Sequence, residues 1–258
     1  MGRYFVTGST DGIGLATVRA LATAGHEVVA HARSHARARE VAPQLVGVRE
    51  VLVGDLSVHE DVLALAQAAD RFGPFDGVIH NAGIGATEAA RIATADGNAH
   101  VIAINALAPH ILVSTMKRPG RLVFVTSGMH AHGDTTLTDT RWLRRPWDGM
   151  QAYADSKLLM ITLAFAVARL WPDVPSNAVD PGWVPTKMAR GQEAPDDLSL
   201  AHVTQVWLAS SDSEQARVSG RYLHHQKEIE PMALTRNETF QNRVLDALAE
   251  ATGVAFPV

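Results

Sequence analysis

Short, almost uninterrupted apolar runs alternate along this chain with longer amphipathic ones. Arg3–Val6, His26–His31, about Arg49–Gly54, Gly77–His80, Arg121–Thr126, about Ser176–Val179 and Gly220–His225 read as strands. Strands this uniformly apolar are buried on both faces, as in a parallel sheet. Between them lie helical patterns, among them Leu15–Ala24, Tyr153–Leu170 and a run centred on Ala201–Ala209. Strand and helix alternate to the end of the chain without a Gly/Ser linker or a repeat. The right-handed crossover rule turns that alternation into a parallel sheet with helices on both faces. The expectation is one α/β domain over residues 1–258, with seven parallel strands.

Composition narrows the partners. Apolar residues make up 47% of the 258 positions, so a sizeable core is expected and disorder is not. The formal net charge of −4 gives no reason to expect nucleic acid. No cysteine is present, which excludes disulfides and thiolate catalysis and suits a cytoplasmic location. The first strand begins almost at Met1, leaving no room for a signal peptide, and no apolar run approaches the roughly 20 residues of a membrane span.

Candidate chemistry sits where strands end. After the first strand comes Thr7-Gly8-Ser9-Thr10-Asp11-Gly12-Ile13-Gly14, then a helix. Glycines there permit a tight turn and let a pyrophosphate approach the backbone, with its charge at the helix N-terminus. Asp55-Leu56, Asn81-Ala82-Gly83, Ser127 and Pro181-Gly182 follow the third to sixth strands. Ligands of open parallel sheets bind outside those carboxyl ends. Tyr153 and Lys157 are four apart on a helix and share a face. A free tyrosine has a pKa near ~10, and a cation close by favours its phenolate. The pair is therefore a candidate proton-transfer device.

T-G-x-x-x-G-x-G, N-A-G, Y-x-x-x-K and P-G in this order resemble the short-chain dehydrogenase/reductase family through nearly the whole chain. The branch nearest in pattern is the retinol dehydrogenase-like and WW-domain oxidoreductase-like one. The resemblance implies a Rossmann fold and hydride transfer between a nicotinamide and a carbonyl or alcohol carbon of a small or medium apolar substrate. It implies Tyr153 as general acid or base, Ser127 as partner of the same substrate oxygen, Lys157 as modulator of Tyr153 and holder of the nicotinamide ribose, and Asn105 as support for a water relay. Thr126 is the hydroxylic alternative to Ser127, but neighbours on a strand face opposite ways. Cofactor contacts implied are Gly8, Ser9, Thr10, Gly12, Ile13, Gly14, Asp55, Leu56, Asn81, Ala82, Gly83, Tyr153, Lys157, Pro181, Gly182, Val184 and Thr186. Asp55 could equally cap the helix that follows it. His80 stands where many relatives have asparagine and receives no role.

The cofactor expected is NADP(H) rather than NAD(H). No Asp or Glu lies between Val28 and Arg39, and Arg33 follows Ala32, where NAD-using relatives often have Asp. An arginine there can pair with a 2′-phosphate. Against this, Ser9-Thr10-Asp11 carries no basic residue, and an inward Asp11 would oppose a phosphate. Arg37 and Arg39 read as a solvated helix face.

Residues 128–152 form a long insertion near the catalytic positions. Trp142 and Trp147 either pin it to the body or line a pocket, with pinning favoured, and Arg141, Arg144 and Arg145 read as a solvated cluster, with recognition of a carboxylate as the alternative. Residues 184–198 read as a substrate lid, with Trp183 and Met188 as apolar contacts. Twelve histidines invite a metal. His130 with His132, and His224 with His225, lack a third ligand in sequence, so no metal site is expected. Apolar residues on more than one face of Tyr153–Leu170 fit a homodimer interface or burial within one chain. The alternative to an enzyme is a catalytically silent NAD(P)(H)-sensing regulator, which would need the glycine loop but not the proton relay.

Overall fold

A computed structural model describes residues 1–189 and 193–257. Seven parallel strands form its sheet: β1 (Arg3–Val6), β2 (Glu27–Ala32), β3 (Glu50–Val53), β4 (Gly77–His80), β5 (Leu122–Val125), β6 (Ser176–Asp180) and β7 (Tyr222–His224). An eighth, β8 (Lys227–Glu228), adds an antiparallel edge. Its two polar, exposed residues carry no apolar signal, which is why the sequence pattern ends at seven. The order is β3-β2-β1-β4-β5-β6-β7-β8. Chain direction across the sheet reverses between β1 and β4, and a ligand crevice opens there in sheets of this kind.

The helices are α1 (Gly12–Thr23), α2 (His35–Val41), α3 (His59–Asp70), α4 (His100–Ile102), α5 (Ala108–Thr115), α6 (Gly149–Leu170), α7 (Val203–Ser210) and α8 (Glu238–Thr252). Two core clusters fill the faces of the sheet. One joins Phe5, Phe124 and Ile161 to α3, α5 and α8; the other joins Val6, Val28 and Val179 to α1 and α7.

Helix α6 begins at Gly149, four residues before Tyr153, because the Asp148 side chain accepts from the Met150 and Gln151 N–H groups and so caps the first turn. Tyr153 therefore lies on the second turn rather than at the start. Every residue of α6 from Ala154 to Val167 is buried within the single chain. Packing against the sheet and α8 accounts for its several apolar faces without a second copy. No described helix is long and apolar enough to cross a membrane.

Segment 128–152 is tied to α6 through Asp155, inside the Tyr-to-Lys motif. The buried Asp155 carboxylate accepts from Asp134 N–H at 2.8 Å, Gln151 Nε2 at 2.9 Å and Trp142 Nε1 at 3.0 Å, and pairs with Arg145. The Arg145 guanidinium also lies 3.6 Å from the Trp142 ring centroid. Arg141 donates to Asn98 Oδ1 at 2.6 Å and Asp96 O at 2.8 Å. Arg141 and Arg145 are thus structural ties, which corrects the solvated reading for these two, while Arg144 is exposed; a buried carboxylate needs such partners. Trp142 is buried, and Trp147 Nε1 donates to Glu88 O at 2.9 Å. Both tryptophans pin the segment.

Candidate active site

The glycine loop is held from beneath by β2 and β4. Gly8 and Gly12 have φ of +66° and +46°, conformations in which side chains other than hydrogen are strained. A Cβ on Gly14 would lie 2.2 Å from Gly8 O and 2.4 Å from Asn81 Nδ2, so no other residue fits. The buried His31 ring bridges two strand ends. Its Nδ1 accepts from Gly8 N–H at 3.0 Å, so its Nε2–H must donate to Gly54 O at 2.8 Å. Burial holds its pKa below the usual value, which keeps the ring neutral.

Several expected cofactor contacts spend their side chains inside the protein. Buried Ser9 Oγ donates to Val6 O and accepts from His31 N–H at 3.0 Å. Asn81 Nδ2 donates to Thr7 O at 2.9 Å and Gly8 O at 3.2 Å, while Thr7 Oγ1 accepts from Asn81 and Ala82 N–H. Asp55 Oδ1 accepts from Ser57 N–H at 2.9 Å and Ser57 Oγ at 2.7 Å, shaping the turn before α3. Leu56 is a core residue and Val184 is buried. Thr10 and Ile13 remain half-buried in the loop. The loop faces the crevice with backbone: the first-turn N–H groups of Ile13 and Gly14 have no acceptor within the helix.

Asp11 does not stand as an unpaired charge beside this loop. It accepts from Gly12 N–H at 2.9 Å, and its Oδ2 lies 2.5 Å from Lys187 Nζ and 3.4 Å from Arg37 Nη2. Arg37 also donates to Thr10 O at 2.6 Å and pairs with Glu40. Its role as a loop brace replaces the reading of a solvated face. Arg33 is exposed immediately beyond β2. The segment after β6 lies across the loop, since a Cβ on Gly12 would come 3.3 Å from Thr186 Cγ2. Residues 190–192 of the expected lid, Gly191 among them, lie outside the described residues.

The second group converges at the ends of β5 and β6. Ser127 lies two residues beyond β5 in extended backbone, and its Oγ accepts from Met129 N–H at 3.3 Å. Lys157 is buried, its Nζ donating to Val125 O at 3.1 Å and lying 5.7 Å from the Tyr153 ring centroid. Burial pushes the Lys157 pKa down to about 8 against the attraction of Asp180. Burial also pushes the Tyr153 phenol up; a Ser127 hydrogen bond favours the phenolate, and the Asp180 charge opposes it. Tyr153 is therefore held protonated, and the expected lowering by Lys157 is not what this arrangement produces, because the ammonium is turned to the Val125 carbonyl.

Asn105 sits in a single π-helical turn, Ala103–Leu107, between α4 and α5. Such turns recur at functional sites. Its Nδ2 donates to Ile84 O and Ser156 Oγ, both at 3.0 Å, and its Oδ1 accepts from Ile84 N–H at 2.9 Å. A Cβ on Gly83 would lie 3.3 Å from Asn105 Oδ1 and 3.5 Å from Lys157 Nζ, so Gly83 keeps the floor clear between them. Gly182, with φ +85°, follows Pro181, and its N–H donates to Asp180 Oδ1 at 3.0 Å. Tyr222 OH donates to Asp180 Oδ2 at 3.1 Å. The sequence assigns no role to Asp180 or Tyr222; the one signal is Asp180 standing before Pro-Gly, as in the resembling branch.

A family model described as short chain dehydrogenase matches residues 3–197. The chain belongs to the short-chain dehydrogenase/reductase family. It is 37% identical over 263 aligned residues to the short-chain dehydrogenase chry4 of Gibberella zeae, covering 100% of this chain and 99% of that protein. An uncharacterized protein from Mycobacterium paratuberculosis has the same fold, with a TM-score of 0.86 at 23% identity over 100% of this chain and 96% of that one. A blue fluorescent protein from a metagenomic library, solved in complex with NADPH, superposes with a TM-score of 0.67 at 25% identity, covering 86% and 95% of the two chains. As a member of this family, the chain is an oxidoreductase of the nicotinamide-dependent kind.

Proposed function

We propose that the protein is an NADP(H)-dependent oxidoreductase of the cytoplasm that interconverts a carbonyl and an alcohol on a small or medium apolar substrate. The observation that carries this reading is the meeting of Ser127, Tyr153 and Lys157 beside a glycine loop too tight for any side chain at Gly14. The loop fits a dinucleotide: glycine surfaces and free helix N–H groups suit a pyrophosphate. When bound, the nicotinamide supplies or accepts the hydride.

The chain's own groups handle the proton. Tyr153, protonated at neutral pH, donates to the carbonyl oxygen, and Ser127 hydrogen-bonds the same oxygen. Lys157 stays charged below about pH 8 and would hold the ribose hydroxyls of a bound cofactor. Asn105, braced on Ile84, keeps the floor beside Lys157 in place. The choice of NADP(H) rests on Arg33, exposed where β2 ends with no carboxylate beside it. Residues 184–198 act as the lid, with Trp183 and Met188, respectively 50% and 44% exposed, turned out as substrate contacts.

Titration with NADPH and NADH, followed by a panel of aldehydes, ketones and quinones, tests the whole reading. NADPH is expected to bind about tenfold or more tightly than NADH, with the preference lost in Arg33→Ala. Equal affinities would remove the NADP(H) assignment. Tight binding with no Tyr153-dependent turnover across the panel would favour the sensing regulator.

A further inference from the structure

The sequence sets His224 and His225 side by side without a third ligand, and the fold supplies one. One ligand atom each from Asp196, His224 and His225 lies within 4.8 Å of the other two. The two imidazole rings are 3.9 Å apart between centroids. All three residues are half-buried, open to an entering ion yet partly shielded from water.

Each partner is also oriented by the backbone around it. His224 Nδ1 faces Asp180 O at 3.1 Å, and against a carbonyl it can only donate. That hydrogen bond fixes the neutral tautomer and leaves the Nε2 lone pair available. A ring N–H given to a backbone carbonyl is the usual outer support of a metal-bound histidine. Asp196 accepts from Trp183 N–H through Oδ2 at 2.6 Å and retains Oδ1. His225 and Gln226 are the two central residues of the β7–β8 hairpin, with φ of +46° and +61°. Asn-Gly is the pair favoured there; imidazole and carboxamide side chains are held against their preference.

We propose that Asp196, His224 and His225 form a binding site for a divalent transition-metal ion that clamps the segment following Gly182 to the β7–β8 turn. Two imidazoles and a carboxylate, with water in the remaining position, suit zinc, and cobalt as its spectroscopic substitute. Metal–ligand bonds of about 2.0–2.2 Å require the donor atoms to close by about 1 Å, a movement within reach of half-buried side chains. Asp196 accepts from the Trp183 backbone N–H, so an ion here also fixes the backbone that carries this exposed indole. The ion is structural, and the proposal stands whether or not the hydride-transfer reading does.

Full-length protein, stripped with a chelator, would be titrated with Zn²⁺ by calorimetry and with Co²⁺ by visible absorption. One equivalent is expected to bind, with a visible ligand-field spectrum and a melting temperature raised by about 5 °C at saturating metal. Affinity should fall about tenfold or more in His225→Ala and in Asp196→Asn, the latter retaining an acceptor for Trp183 N–H. The double variant His225→Asn with Gln226→Gly relieves the turn. It should melt at or above the metal-free wild type and show no response to zinc. Absence of saturable binding, or binding undiminished in these variants, would overturn the site.

Discussion

The two ends of the crevice are built by opposite means. At the glycine-loop end, Thr7, Ser9, His31 and Asn81 bond one another and the backbone, so the loop arrives preformed. On the segment after Gly182, Trp183 and Met188 stand exposed, while Val184 is buried and Lys187 pairs with Asp11. The glycine loop is fixed by the sheet, whereas the proposed substrate contacts are exposed side chains that can change without disturbing it. The lesson is that motif residues can serve a ligand by shaping the backbone that meets it.

Separating the ends experimentally begins with Tyr153→Phe. Turnover should fall by about 10³-fold or more, while the dissociation constant for NADPH stays within about twofold of wild type. Loss of both together would show the two ends to be one unit. At the loop end, Gly14→Ala should remove about 3 kcal/mol or more of stability in urea unfolding and abolish cofactor binding, since the new methyl meets backbone. A folded, binding Gly14→Ala variant would break the claim of a rigid loop.

Acid sharpens the same contrast. His31 and His80 have folded-state pKa values below the free value, His80 down to about 3, both by burial. The unfolded chain then binds more protons below about pH 6.5, so stability should fall as pH drops from there. His31→Gln should flatten that slope, read from denaturant midpoints across pH. At the catalytic end, the reductive kcat/KM should decline above about pH 8 as Lys157 loses its proton. Asp180→Asn removes the charge that supports the ammonium, so the decline should move to lower pH. A limb that stays in place would assign it to another group. Trp183→Ala gives the smallest effect, a rise of about three- to tenfold in substrate KM with NADPH affinity unchanged.

The sheet was legible because buried parallel strands read as apolar runs, and the motif order was legible because each piece follows a strand end. Residue type did not disclose which side chains face the crevice. Ser9, Asn81 and Asp55 are polar residues at crevice positions, yet their partners lie within the fold, and only three-dimensional pairing reveals that. Arg37 and Lys187 meet Asp11 from widely separated positions, and Asp196 meets His224 and His225 the same way; spacing along the chain carries no trace of either. The β8 edge was missed because two exposed polar residues have no pattern to read.

Asp155 has a consequence for how such enzymes diversify. One carboxylate on the catalytic helix receives Asp134 N–H, Gln151, Trp142 and Arg145, and so docks the whole 128–152 segment. Asp155 is the segment's central socket, and Arg141 on Asn98 and Trp147 on Glu88 O are its outer ties. Transplanted into a relative, the segment should keep its shape when that aspartate travels with it and loosen at its centre when it does not.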